Sequence, residues 1–171
     1  AMGGQLFFMA DDGVNGFELW KSDGTSNGTV LVSNIAPGSV SSSPSEITAL
    51  GTQIVFSATD GASGVELWKS DGAPGGTTLL GDLYTGTLSS TPASLAVWSN
   101  LLFFSFYDWG LGAELWKTDG TSNGTVIVRD LLPGPGSSSP QYLTLFRTNL
   151  FFSASDGALG TELWKSDGTS N

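Results

Sequence analysis

The seven-residue stretch Glu-Leu-Trp-Lys-Ser-Asp-Gly occurs four times, beginning at Glu18, Glu66, Glu114 and Glu162, always 48 residues apart. A single position varies: Ser22, Ser70 and Ser166 become Thr118. A fixed period of this length marks a chain that copies one supersecondary unit and buries the unit's apolar face against its neighbours. The question of fold therefore reduces to what 48 residues of this pattern can form.

Each unit holds an apolar run too short for an ordinary helix: QLFFMA at 5–10, QIVFSA at 53–58, LLFFSF at 101–106 and LFFSA at 150–154. These runs are bounded by Gly, Asp or Asn and predict buried strands. A turn follows at 12–16, 60–64, 108–112 and 156–160, with Asp-Gly in three of the four copies. Asp-Gly between apolar runs signals a hairpin, because glycine takes positive φ without a Cβ clash. The third copy has Trp109 in place of that glycine, beside Tyr107. The ELWK strand comes next and closes on a second Asp-Gly turn, altered in the second repeat to Ala73-Pro74-Gly75-Gly76. Strands at 29–35, 77–83 and 125–131 follow, then a Ser/Pro-rich link, then short strands at 46–50, 94–98 and 142–146.

Four short strands per unit, with no helical period, predict an all-β chain of β-propeller blades. With the strands named a (EITAL), b (QIVFSA), c (ELWKS) and d (TVLVSNI), the chain runs bcd–abcd–abcd–abc, or 14 strands. A β-solenoid is the alternative, although solenoid rungs are shorter and lack regular Asp-Gly hairpins. Ala1-Met2-Gly3 reads as a cloning scar, leaving 4–171 as one propeller domain or fragment of 3.5 repeats.

The stretches 18–25, 114–121 and 162–169 resemble the ELWxxDGT repeat family, as does 66–72, where Ala73 stands in place of the family's threonine. The resemblance covers 4–171. It implies a propeller-like structure and a place in large, mostly secreted or surface-associated bacterial proteins. It implies no activity, so extracellular or cell-surface localisation is the expectation it carries.

Charge removes several functions. The formal charge is −10, from 16 acids and six bases. Four bases, Lys21, Lys69, Lys117 and Lys165, lie inside the repeat; only Arg129 and Arg147 lie elsewhere. Nucleic-acid binding and docking on anionic membranes both need clustered cations. No apolar run is long enough to predict membrane insertion. With neither cysteine nor histidine, thiolate nucleophiles, the usual zinc sites and a Ser-His-Asp triad are excluded.

Glu18, Glu66, Glu114 and Glu162 are the most tempting residues, as a ring of acids and bases. A residue needed in every unit more plausibly accepts hydrogen bonds from a neighbouring backbone amide or indole. Trp20, Trp68, Trp116 and Trp164 are expected to fill space between blades, with sugar stacking as the alternative. Asp23, Asp71, Asp119 and Asp167 sit in the c–d turn, where Ser-Asp-Gly-Thr is similar to the structural Asp-box turns of sialidase-type propellers. Sialidase chemistry is not expected, since Arg129 and Arg147 cannot form an arginine cluster. Calcium is the alternative for these loops, held by Asp23, Thr25 and Asn27, by Asp119 and Asn123, or by Asp11, Asp12 and Asn15. Neither loop has full EF-hand spacing, so no cofactor is the first expectation.

Tyr107 and Trp109 break the repeat and are the candidate ligand-binding residues; Trp98 also stands outside the repeated tryptophan position. Three functions compete. The first is a non-catalytic scaffold or interaction module. The second is a multivalent carbohydrate-binding propeller. The third, disfavoured, is a glycoside hydrolase using non-repeated acids: Asp11, Glu46, Asp82 and Asp130. A protein or glycan partner is expected, and open strand edges predict self-association. The strand count suits a four-bladed ring, an eight-bladed dimer or a strand-swapped pair better than a seven-bladed dimer.

Overall fold

The computed structural model describes residues 1–81 and 86–169. It contains 14 strands in four small antiparallel sheets. The first sheet is β1 (Leu6–Asp11), β2 (Phe17–Ser22) and β3 (Val30–Ser33). The second is β4 (Ser45–Leu50), β5 (Gln53–Thr59), β6 (Val65–Ser70) and β7 (Thr77–Gly81). The third is β8 (Ala93–Trp98), β9 (Leu101–Asp108), β10 (Gly112–Thr118) and β11 (Val126–Arg129). The fourth is β12 (Gln141–Phe146), β13 (Asn149–Ser155) and β14 (Thr161–Ser166). Neighbours in each sheet follow chain order, so the expected bcd, abcd, abcd and abc groups are all present.

The chain divides into two compact units, Ala1–Ser89 and Ser90–Asn171. In the first, Phe7, Leu19 and Ile35 pack with Ile54, Phe56 and Ala58, and Trp68 lies against them. In the second, Phe103, Leu115 and Val128 pack with Leu150, Phe152 and Ala154, and Trp164 lies against them. The pairing explains the two sides. Phe56 lies opposite Trp68 and Ala58 opposite Glu66, so these share a face. Leu19 and Lys21 project from the other face of their own sheet, toward the next.

The b–c turns form where Asp-Gly stands. Gly13, Gly61 and Gly157 take φ of 79°, 82° and 81°, and Asp12 Oδ1 accepts the amides of Val14 and Asn15. With Trp109 in place of glycine, β9 runs one residue further, to Asp108, which accepts the amides of Gly110 and Leu111 as Asp12 accepts those of Val14 and Asn15.

The d strands are shorter than expected: β3 ends at Ser33 and β11 at Arg129. Beyond them the backbone leaves the ladder to reach a carboxylate, described below. The end of the expected strand 77–83, the start of the Ser/Pro link at Thr85, and Asp82 lie outside the described residues. Met2 and Gln5 form a two-way backbone bridge, and Met2 packs against the first core cluster.

Candidate functional site

The repeated acids are occupied by the backbone. Glu18 is fully buried, and its carboxylate accepts the amides of Ile35 (2.9 Å), Ala36 (3.3 Å) and Ser42 (3.1 Å) and the Ser42 hydroxyl (2.5 Å). Glu114 does the same with the amides of Leu131 (3.0 Å) and Ser138 (2.9 Å) and the Ser138 hydroxyl (2.6 Å). Each glutamate thus ties strand c to residues 17 and 24 positions on, fixing where strand d stops and where the Ser/Pro link runs. Glu66 is also fully buried; Glu162 is only half-buried. The expected amide partner is present at Glu18 and Glu114. The indole is not: Trp20, Trp68 and Trp116 keep Nε1 buried without an acceptor, and Trp164 Nε1 donates to the Ala154 carbonyl at 3.0 Å.

Burial holds the Glu114 carboxyl above the ordinary range, against the Ser138 hydroxyl and the Leu131 and Ser138 amides that lower it; nearby Asp130 adds to the rise. Asp130 keeps Oδ1 buried and unpartnered. A hydrolytic pair needs one free acid and one free base. Here Glu114 already accepts three hydrogen bonds, from the Leu131 and Ser138 amides and the Ser138 hydroxyl.

The c–d aspartates hold their turns. Asp23, Asp119 and Asp167 each accept the amide and hydroxyl of the threonine two residues on. Those hydroxyls and amides hold Asp23 and Asp167 below the usual carboxylate range. Among the described residues Asp71 accepts only the amide of Ala73, and there Gly76 N donates to the Ala73 carbonyl. In the first repeat the Thr25 hydroxyl also accepts from Gly28 N, so the side chain replaces a backbone closure. Thr25 and Asp23 thus spend their oxygens on the turn itself. Asp11 and Asp12 likewise accept from Gly13, Val14 and Asn15. Asn27 and Asn123 are exposed on the same turns. Among the described residues no group of three or more acidic side chains converges.

The expected aromatic pair does come together. Tyr107 and Trp109 meet edge to face, with ring centroids 6.0 Å apart at 80°, and Trp109 is 56% exposed. Tyr107 also lines a recess of about 320 Å³ with Thr91, Ser94, Ser105, Gln141 and Tyr142. Tyr142 is 78% exposed. Trp98 lies apart from this recess, tilted against Phe103 in the core with centroids 5.9 Å apart.

Tyr142, Ser94 and Glu46 occupy one repeat position and share one conformation, φ of 56°, 57° and 56°. At each, the register of strand a slips against strand b. Thr48 and Thr144 brace the bulge by donating to the carbonyls of Glu46 and Tyr142 at 2.9 Å. Left-handed backbone at a non-glycine residue costs about 1 kcal/mol or more, and a bulge re-aims the side chain it carries. Sequence reasoning placed Tyr142 in an ordinary strand and missed it. The signal was present: Glu, Ser and Tyr succeed one another two residues after the repeated Pro44, Pro92 and Pro140.

A second cleft, of about 330 Å³, runs beside β14 and is lined by Leu115, Val128, Leu131, Phe152, Trp164 and Lys165 among others. In the second sheet the corresponding side of β6 is covered by β7, with Leu79 opposite Trp68.

No protein-family model matches the chain, and comparison with curated proteins returns no match. Among solved structures it is similar to a puromycin hydrolase, with a TM-score of 0.62 and 19% identity over 95% of this chain and 25% of that one. It is also similar to a computationally designed protein, with a TM-score of 0.52 and 18% identity over 100% of this chain and 45% of that one. An alpha-L-arabinofuranosidase from Clostridium thermocellum aligns with a TM-score of 0.43 and 16% identity, over 100% of this chain and 68% of that one. The chain spans a quarter of the first structure's length and under half of the second's. At these identities the first two likenesses bear on the all-β fold alone.

Proposed function

We propose that the chain is a non-catalytic interaction module built of β-propeller blades, in a secreted or surface-associated bacterial protein. The observation that carries this is the state of the repeated acids. Glu18 and Glu114 accept from backbone amides and a serine hydroxyl, and Asp23 and Asp119 from the threonine of their own turn. What remains variable and accessible is the strained recess at Tyr107 and Tyr142, with exposed Trp109 edge to face against Tyr107. Face-to-face packing of successive antiparallel sheets supports blades over solenoid rungs, which pair in parallel. The ELWxxDGT resemblance supports the bacterial, extracellular setting. The exposed edges β1 and β14 support self-association.

Carbohydrate binding is favoured as a second reading by one observation. The recess combines tyrosine rings with the hydroxyls of Thr91, Ser94, Ser105 and Ser139 and the amide of Gln141, a mixture suited to a sugar's apolar face and hydroxyl rim. A glycan array with the wild-type chain and with Tyr107→Ala and Tyr142→Ala tests it. Glycan binding lost in both variants supports the sugar; no binding above background removes it and leaves a protein partner. Hydrolysis of aryl glycosides that is abolished by Asp130→Asn would overturn the non-catalytic assignment.

A further inference from the structure

Two sheet interfaces inside the chain use the same three contacts. First, a leucine of strand c enters the next sheet: Leu19 packs with Ile54, Phe56, Ala58 and Trp68, and Leu115 with Leu150, Phe152, Ala154 and Trp164. Second, a phenylalanine of strand b rests on the glycine of the next c–d turn. A β-carbon on Gly72 would stand 2.9 Å from the Phe7 ring, and one on Gly168 would stand 3.1 Å from the Phe103 ring. Third, a lysine of strand c caps that same glycine's carbonyl: Lys21 Nζ donates to Gly72 O at 2.8 Å and Lys117 Nζ to Gly168 O at 2.7 Å.

Both halves of this contact set recur unused. On the fourth sheet Leu163, the counterpart of Leu19 and Leu115, is 76% exposed. Phe151 and Lys165 share its face, by their pairing opposite one another in β13 and β14. Lys165 has no acceptor among the described residues. On the first sheet, one repeat before Ile54, Phe56, Ala58 and Trp68, stand Leu6, Phe8, Ala10 and Trp20. Leu6 is 57% exposed. A β-carbon at Gly24 would meet nothing within 4 Å, unlike its counterparts Gly72 and Gly168.

We infer that the outer face of the fourth sheet docks on the outer face of the first sheet of a second copy of this chain. Leu163 enters the hollow of Leu6, Phe8, Ala10 and Trp20 of the second copy. Phe151 settles on its Gly24, and Lys165 donates to that glycine's carbonyl. The occupant is set by complementarity: the knob, ring and cation on one face match a hollow, a bare glycine and a carbonyl on the other, as in two interfaces the chain already makes. The contact is heterologous, because the two faces differ. It closes when two copies engage both faces and otherwise runs on as a filament. The inference deepens, and rests on, the self-association proposed above.

Sedimentation of the whole chain with Leu163→Glu and Leu6→Glu variants tests it, circular dichroism confirming that each variant folds. Both positions are exposed, so a buried charge enters only on docking. The wild type is expected to associate, and each substitution to weaken association at least about tenfold. Mixing the two variants leaves one intact pair of faces, Leu163 of the Leu6→Glu chain against Leu6 of the Leu163→Glu chain. The mixture is expected to form a two-chain species that neither variant forms alone. A wild type that sediments as one chain overturns the inference, and self-association with it, while recess binding stands. An assembly indifferent to both substitutions, or no complex in the mixture, overturns the head-to-tail contact alone.

Discussion

The second and fourth sheets carry nearly the same strand c, VELWKS and TELWKS, in different surroundings. In the second, Leu67 is fully buried; in the fourth, Leu163 is 76% exposed. Glu66 is fully buried and Glu162 half-buried, and among the described residues Glu162 accepts no hydrogen bond. Trp68 buries an indole N–H without an acceptor, while Trp164 turns its own to the Ala154 carbonyl. The motif has no fixed energetic role of its own. It stabilises only where its carboxylate and leucine are buried, and where they are not, its leucine stays exposed.

Removing the carboxylates should separate the two settings most. Glu18→Ala leaves three amides and a hydroxyl without their acceptor, at about 1–3 kcal/mol per buried group. A loss of at least about 4 kcal/mol is expected in urea unfolding. Glu162→Ala should stay within about 0.5 kcal/mol. Equal losses would break the comparison.

Leucine truncation comes next. Leu67→Ala should cost about 2–5 kcal/mol, by lost transfer energy and the cavity left behind. Leu163→Ala should cost under about 0.5 kcal/mol in chains diluted to monomers. Thermal unfolding of both variants at low concentration checks this.

The turn glycines sharpen it further. Gly24 and Gly168 both have positive φ, 92° and 81°, so alanine strains either by about 1 kcal/mol. At Gly168 the added carbon also approaches the Phe103 and Trp98 rings at 3.1 and 3.2 Å. Gly168→Ala should therefore be the more destabilising of the two by urea midpoint.

The smallest effect is in pH. Asp23 and Asp167 have folded pKa values below the ordinary 3.8, through the hydroxyls and amides of Thr25 and Thr169. Their contribution is present above that ordinary value and is lost as pH falls through the folded one. Glu114 has the opposite sign. Its folded pKa lies above 4.5 because of burial, so its contribution is full below 4.5 and is lost as pH rises through the raised value. Asp23→Asn should flatten the acid limb of a urea-midpoint profile, and an unchanged limb would contradict the turn's hydrogen bonds.

Much of the fold was legible because each unit repeats. The hairpins at Asp12-Gly13 and Asp60-Gly61 need only local backbone freedom, so they read directly. The b and c strands read from apolar runs bounded by turn residues. The ends of strand d did not. They depend on Ile35 and Leu131 leaving the ladder for glutamates 17 residues earlier, a long-range contact invisible to local pattern. Of the site, Tyr107 and Trp109 were found because they break the repeat. Tyr142 was missed because its strand pattern hides a bulge with positive φ.

The sequence by itself determined the unit: four short strands, two Asp-Gly turns and a period of 48, all set by local propensity and alternation. It also determined which chemistries are absent, by containing neither histidine nor cysteine. Only the tertiary structure decided what the repeated residues do. Whether a glutamate is a buried staple or a half-exposed acid, and whether a leucine is core or exposed, depends on what packs against it. Burial belongs to the neighbourhood of a residue, and identical strands acquire different neighbourhoods only when the chain is folded.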